Sequence, residues 1–134
     1  MNEKKTMKWK KPVIEHGKLT KFNYIVQYPE NLTLGENFDI GTFCYINCKN
    51  FVTIGDDVQI GSHSSIYSDS TIDGKNGSVT LEKNCRIGTH STIMPGVTIG
   101  ENSVIGAYSF VTQNVPKNQL WIGIPAVFKK FIDQ

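Results

Sequence analysis

The feature that most constrains this chain is a step of six. From Leu81 onward every sixth residue is aliphatic, through Ile87, Ile93, Ile99, Ile105 and Val111. Four places after each stands a small or β-branched residue: Cys85, Ser91, Val97, Ser103, Ser109 and Val115. A period of six matches neither the 3.6 of an α-helix nor the alternation of a half-buried strand. A fixed short period marks a solenoid, and hexapeptides belong to parallel β-helices. Each hexapeptide supplies one short strand and one corner, so three make a triangular coil. No single hexapeptide buries its apolar side; stacked coils share a continuous core.

The rhythm extends backward through Ile72, Ile66, Ile60 and Ile54, and before them Ile46, Ile40 and Leu34. Two breaks interrupt it. Ile46 to Ile54 is eight residues, which places a two-residue insertion in Cys48–Phe51. Ile72 to Leu81 is nine, which places a three-residue insertion in Asp73–Ser78. The second holds Asp73-Gly74 and Asn76-Gly77, both turn signals, and predicts a small loop pushed out at one corner. About four and a half coils result.

The 134 residues predict one domain in three parts: an arm and cap over 1–31, a β-helix over 32–116 and a closing segment over 117–134. The cap covers the open first coil, whose core and backbone edge are otherwise exposed. Pro116 ends the repeats. Val127 to Ile132 predicts a short amphipathic helix at the far end, or a tail. Seven of the thirteen lysines fall within the first 21 residues, but without helical periodicity or an apolar stretch. Neither nucleic-acid binding, membrane insertion nor export is expected. Cys44 and Cys85 occupy small inward positions, and Cys48 leaves the number odd. The spacing fits no zinc template, so free thiols in a reducing cytoplasm are expected.

The block Ile87-Gly88-Thr89-His90-Ser91-Thr92-Ile93-Met94-Pro95-Gly96-Val97 resembles the repeats of the left-handed β-helix acyltransferases. Val104-Ile105-Gly106-Ala107-Tyr108-Ser109 resembles their last coil, and Ile122-Gly123-Ile124-Pro125-Ala126 their terminal signature. The resemblance runs from Leu32 to Phe131. It implies an all-β left-handed parallel β-helix assembled as a homotrimer, with acetyl-coenzyme A as co-substrate in a groove between prisms and no metal. Within the family the chain is similar to short sugar O- and N-acetyltransferases of surface-polysaccharide biosynthesis. The resemblance assigns coenzyme contacts to Thr89, Ala107 and Thr112. The usual basic residues are Gln113 and Val127 here, leaving Lys129 or Lys130 for the phosphates. The family histidine in the corner loop falls on Thr71, so its base does not carry over.

Counting the steps supplies a substitute. It stacks Ile46, Ile66, Ile87 and Ile105 on one face, which lines up Lys49, Asp69, His90 and Tyr108 three residues on. Asp69 then neighbours His90, and a carboxylate beside an imidazole holds one tautomer. His63 is expected at the next corner, between Phe43 and Asn84, facing that edge across a subunit interface. His90, His63 and Asp69 are therefore the catalytic candidates, with no choice between the histidines. A corner histidine also serves as a solvated turn residue or a contact between copies. Lys49 and Arg86 offer charge for a nucleotide-linked acceptor. The expected reaction is acetylation of an amino group on a deoxyamino sugar. Acetylation of a sugar hydroxyl and a non-catalytic trimeric scaffold are the alternatives. A zinc hydratase is disfavoured, because His16 lies outside the repeats.

Overall fold

A computed structural model describes residues 8–133. Of the lysine-rich arm, residues 1–7 lie outside the described residues. Short strands stack into three parallel sheets around one core. The first sheet stacks Ile25–Gln27, Tyr45–Asn47, Ser65–Tyr67, Thr92–Ile93 and Phe110–Val111. The second stacks Leu32–Leu34, Val52–Ile54, Val79–Leu81 and Thr98–Ile99. The third stacks Asp39–Ile40, Gln59–Ile60, Arg86–Ile87, Val104–Ile105 and Gln119–Gly123, and Ala126–Phe131 closes it antiparallel. This is the all-β solenoid that the step of six predicts. The first sheet already holds Ile25–Gln27, upstream of residue 32.

The aliphatic of each hexapeptide points inward. Ile46, Ile54, Ile66, Leu81, Ile93, Ile99 and Ile105 are all fully buried. The small inward residues fill the remaining space and satisfy themselves. Ser64 Oγ donates to the Gly88 carbonyl at 3.1 Å, and Ser91 Oγ to the Gly106 carbonyl at 3.2 Å. These serines are structural, since a buried hydroxyl without a partner is costly. Burial pushes the Cys48 and Cys85 thiols up to about 12, so both are neutral packing groups.

Two features depart from the sequence reading. Ile72 is not an inward repeat residue; it is 98% exposed. Ile66 pairs with Ile93, 27 residues on, whereas Ile93 pairs with Val111 after 18. The excursion therefore holds nine extra residues, not three. It forms a hairpin of Asp69–Ser70 against Lys75–Asn76, and Ile72 lies in its turn. Ile72 kept the count of six by coincidence. The other departure is at the far end, where the expected helix over 127–132 is a strand: Ala126–Phe131 pairs with Gln119–Gly123.

Corners hold the chain in the left-handed backbone region. One corner column is Asn84, Asn102 and Asn118, with φ near +60°. Asparagine tolerates that conformation. Asn84 Nδ2 donates to Asn102 Oδ1 at 2.8 Å, and Asn102 Nδ2 to Asn118 Oδ1 at 3.1 Å. A second column carries Phe43, His63, His90 and Tyr108 at φ of 64°, 63°, 58° and 61°. Histidine, like asparagine, is enriched in that region, whereas Phe43 and Tyr108 are uncommon occupants of it.

Candidate functional site

The longer excursion shifts the stacking and rebuilds the site. Ile87 stacks on Ile60 and Ile105, not on Ile66. Asp69 therefore leaves at the corner after the first sheet, and His90 at the corner after the third. Asp69 is not a neighbour of His90; its carboxylate accepts from Asn50 Nδ2 at 3.4 Å. Lys49 belongs to that same first-sheet corner, away from Arg86 on the third sheet. His63, expected beside Asn84 and across an interface, sits directly on His90 within one chain. Their rings stack with centroids 4.6 Å apart and planes 4° apart. Tyr108 stacks on the other face of His90 at 4.8 Å and 5°. Phe43 caps His63 at 5.4 Å.

One hydrogen bond distinguishes the two histidines. Thr89 Oγ1 donates to the Ser62 carbonyl at 2.7 Å. Having one hydrogen, it can only accept from His90 Nδ1, which lies 2.9 Å away. In the neutral ring Nδ1 thus carries the proton, and Nε2 presents its lone pair. Among the described residues the His63 ring makes only stacking contacts. Thr89, the residue just before the histidine, and not Asp69, is hydrogen-bonded to the His90 ring.

Thr89 also lines a shallow groove of about 380 Å³ on the third sheet. Its floor is the outward column Asp39, Gln59, Arg86 and Val104, which register continues through Leu120 to Lys130. Arg86 is therefore a floor residue of this groove. Its rim is built from Gly61, Gly88-Thr89 and Gly106-Ala107. Glycine is required there by contact: a Cβ on Gly88 would lie 2.5 Å from the Ala107 nitrogen. Among the described residues the Thr89 and Ala107 N–H groups make no hydrogen bond, and so remain free to donate. Lys130 and Lys129 lie on the edge strand at the far end of the same sheet. Thr112 instead follows the last strand of the first sheet and is exposed.

A second depression, of about 560 Å³, lies on the first sheet beneath the hairpin. Tyr45, Tyr67 and Asn47 line it with Asp69. Tyr45 donates its hydroxyl to Gln27 Oε1 at 2.7 Å. Among the described residues no group of three or more His, Cys, Asp or Glu side chains gathers as metal ligands.

These features define a class: a three-sided hexapeptide solenoid with a glycine-walled groove beside an oriented imidazole. Comparison with known proteins agrees on the hexapeptide solenoid. The family described as bacterial transferase hexapeptide (six repeats) matches residues 78–113. The chain belongs to this hexapeptide-repeat family. It is 38% identical over 111 residues to a galactoside O-acetyltransferase of Escherichia coli (strain K12), covering 73% of this chain and 53% of that protein. A galactoside acetyltransferase in complex with coenzyme A superposes with TM-score 0.74 at 33% identity, over 82% of this chain and 59% of that one. AntD, an N-acyltransferase from Bacillus cereus in complex with dTDP-4-amino-4,6-dideoxyglucose and coenzyme A, superposes with TM-score 0.67 at 25% identity, over 86% and 80%. The chain spans about half the length of the curated relatives it matches. Among the described residues no helix is long and apolar enough to cross a membrane.

Proposed function

We propose that the protein transfers an acetyl group from acetyl-coenzyme A to the amino group of a deoxyamino sugar carried on a nucleotide. The observation that carries this reading is the Thr89–His90 pair, an imidazole of fixed tautomer on the rim of the glycine-walled groove. The coenzyme lies along the third sheet, its phosphates toward Lys129 and Lys130. The Ala107 and Thr89 N–H groups hold the pantetheine amides. Thr112 is exposed on another edge, where a neighbouring subunit of a homotrimer would bring it to the coenzyme. Exposed Ile124, Val127 and Phe131 on the closing hairpin give such an assembly apolar surface to bury.

The chemistry is direct attack on a thioester. The amine nitrogen bonds to the acetyl carbonyl carbon while His90 Nε2 takes an amine proton. Charge gathers on the carbonyl oxygen, where a backbone N–H donor stabilises it. The carbon–sulfur bond then breaks, and the imidazolium returns its proton to the departing thiolate. Base catalysis of this kind is worth about 10²–10⁴ in rate. Stacking against His63 and Tyr108 fixes the ring plane and excludes water from its faces. Asp69 has no part in the proton path; it lines the depression beneath the hairpin on the first sheet, and Lys49 lies at that corner too.

Free thiol released from acetyl-coenzyme A reports the reaction. With dTDP-4-amino-4,6-dideoxyglucose as acceptor, thiol release is expected, falling at least 100-fold in His90→Asn and less in His63→Asn. The likeness to galactoside O-acetyltransferases favours one further reading, transfer to a sugar hydroxyl; release with a galactoside and not with the amine establishes it. Coenzyme binding without release from any acceptor favours the non-catalytic scaffold.

A further inference from the structure

The groove shares one residue with a second cavity. Asp39, the last floor residue at the N-terminal end, also lines a separate cavity of about 560 Å³. The arm and the turn around Phe22 build this cavity against the first coil. Trp9 anchors the arm: its Nε1 donates to the Phe38 carbonyl at 3.1 Å, and its ring meets Phe38 edge-on at 5.0 Å. Trp9 and Phe22 nonetheless remain 37% and 52% exposed. Lys8, Lys10 and Lys21 stand around the same cavity, against Asp39 as its one acid. The only buried side-chain polar atom without a hydrogen-bond partner among the described residues, the Tyr24 hydroxyl, belongs to another wall residue.

Aromatic faces ringed by lysines match a planar, polyanionic ligand. Exposed rings offer a base something to stack on, and lysines meet phosphates as point charges. The volume falls within the ordinary range for small-molecule sites. We propose that this cavity binds the nucleoside diphosphate of the acceptor, the base against Trp9 and Phe22 and the phosphates against Lys8, Lys10 and Lys21. The proposal rests on the acetyl-transfer reading and gives its acceptor a place. From Asp39 to the level of His90 is two strand spacings, roughly 10 Å. A sugar on the diphosphate enters the groove past Asp39 and His63, and meets the thioester arriving from the Lys130 end. Donor and acceptor thus occupy opposite ends of one track.

Calorimetric titration of the full chain with thymidine diphosphate, with and without saturating coenzyme A, tests this. Binding is expected in both conditions, weakening as salt rises. Lys21→Glu, an exposed change that leaves the fold intact, and Trp9→Ala are each expected to weaken it at least tenfold. Coenzyme A affinity should be unchanged in both variants, and Lys130→Ala should leave thymidine diphosphate binding as it was. Displacement by coenzyme A assigns the cavity to the donor and overturns the proposal. So does full affinity in Lys21→Glu, or no binding at all. Thiol release with a free amino sugar, measured alongside, reports on acetyl transfer independently of the cavity.

Discussion

Gly88→Ala is the sharpest test of how the groove is built. Gly88 has no unusual φ, so alanine suits its backbone; only space forbids it. The added Cβ would lie 2.5 Å from the Ala107 nitrogen, 2.7 Å from its Cα and 2.9 Å from the Gly106 carbonyl carbon. All three atoms are backbone of the next coil and cannot rotate aside. Relief to an ordinary contact demands separating two stacked rungs by about 1 Å. Overpacking of this kind costs about 1–3 kcal/mol, and the absence of any yielding side chain places this site at the upper end. About 3 kcal/mol is a large part of a typical domain's stability, and corresponds to roughly 10 °C in Tm. The same displacement moves the Thr89 and Ala107 N–H groups, so coenzyme A affinity should fall at least tenfold. Gly74→Ala is the control. Gly74 has φ of +71° and nothing within 4 Å of its added Cβ, so alanine there adds only backbone strain of about 1 kcal/mol. Urea denaturation and coenzyme titration of both variants decide the matter. Gly88→Ala within about 0.5 kcal/mol of the parent, with coenzyme affinity intact, refutes the argument.

Thr89→Val should lower kcat about tenfold or more and alter the pH–rate profile, while Thr89→Ser, which keeps the hydroxyl, restores both; equal activity in the two variants would remove the tautomer role. Ile93→Ala empties a fully buried core position and should cost about 2–5 kcal/mol, whereas Ile72→Asp in the exposed hairpin turn should change stability by under about 0.5 kcal/mol, both read by chemical denaturation. Burial raises the Cys48 and Cys85 thiols from an ordinary 9.0 to about 12, so the fold favours their neutral forms. Their contribution is complete below pH 9 and is lost as pH rises toward 12, so stability should decline across that window. At pH 8 a thiol reagent should modify the unfolded chain and leave Cys48 and Cys85 of the folded chain unmodified.

Much of this fold is written in the sequence because burial repeats. Ile87, Ile93, Ile99 and Ile105 each face the core at a fixed interval, because each coil repeats the one it stacks on. The excursion was not legible, because Ile72 satisfies the interval while sitting in a hairpin turn in solvent. A chance aliphatic at the right number carries the same letter as a core residue. Counting Ile72 as a repeat residue displaces the third sheet by one hexapeptide, and with it the neighbour of His90 from His63 to Asp69. The hairpin had a signal in Asp73-Gly74 and Asn76-Gly77, but turn residues mark where a chain bends, not how far it travels. The C-terminal strand was hidden differently. Val127, Phe128 and Phe131 fit a helical face as well as an exposed edge strand, and pairing with Gln119–Gly123 decides between them. The Thr89 bond to His90 was present in the sequence as adjacent residues. Its meaning depends on the Ser62 carbonyl 27 positions earlier, which only the coil brings near.

The central claim is that acyl donor and base meet on the third sheet. Amide-resolved NMR during a coenzyme A titration tests it most directly. The largest shifts are expected at Thr89, Ala107 and Lys130, with the His90 ring signals moving alongside. Shifts confined to Tyr45, Tyr67 and Asn47 beneath the hairpin would place the donor on the first sheet and contradict the account.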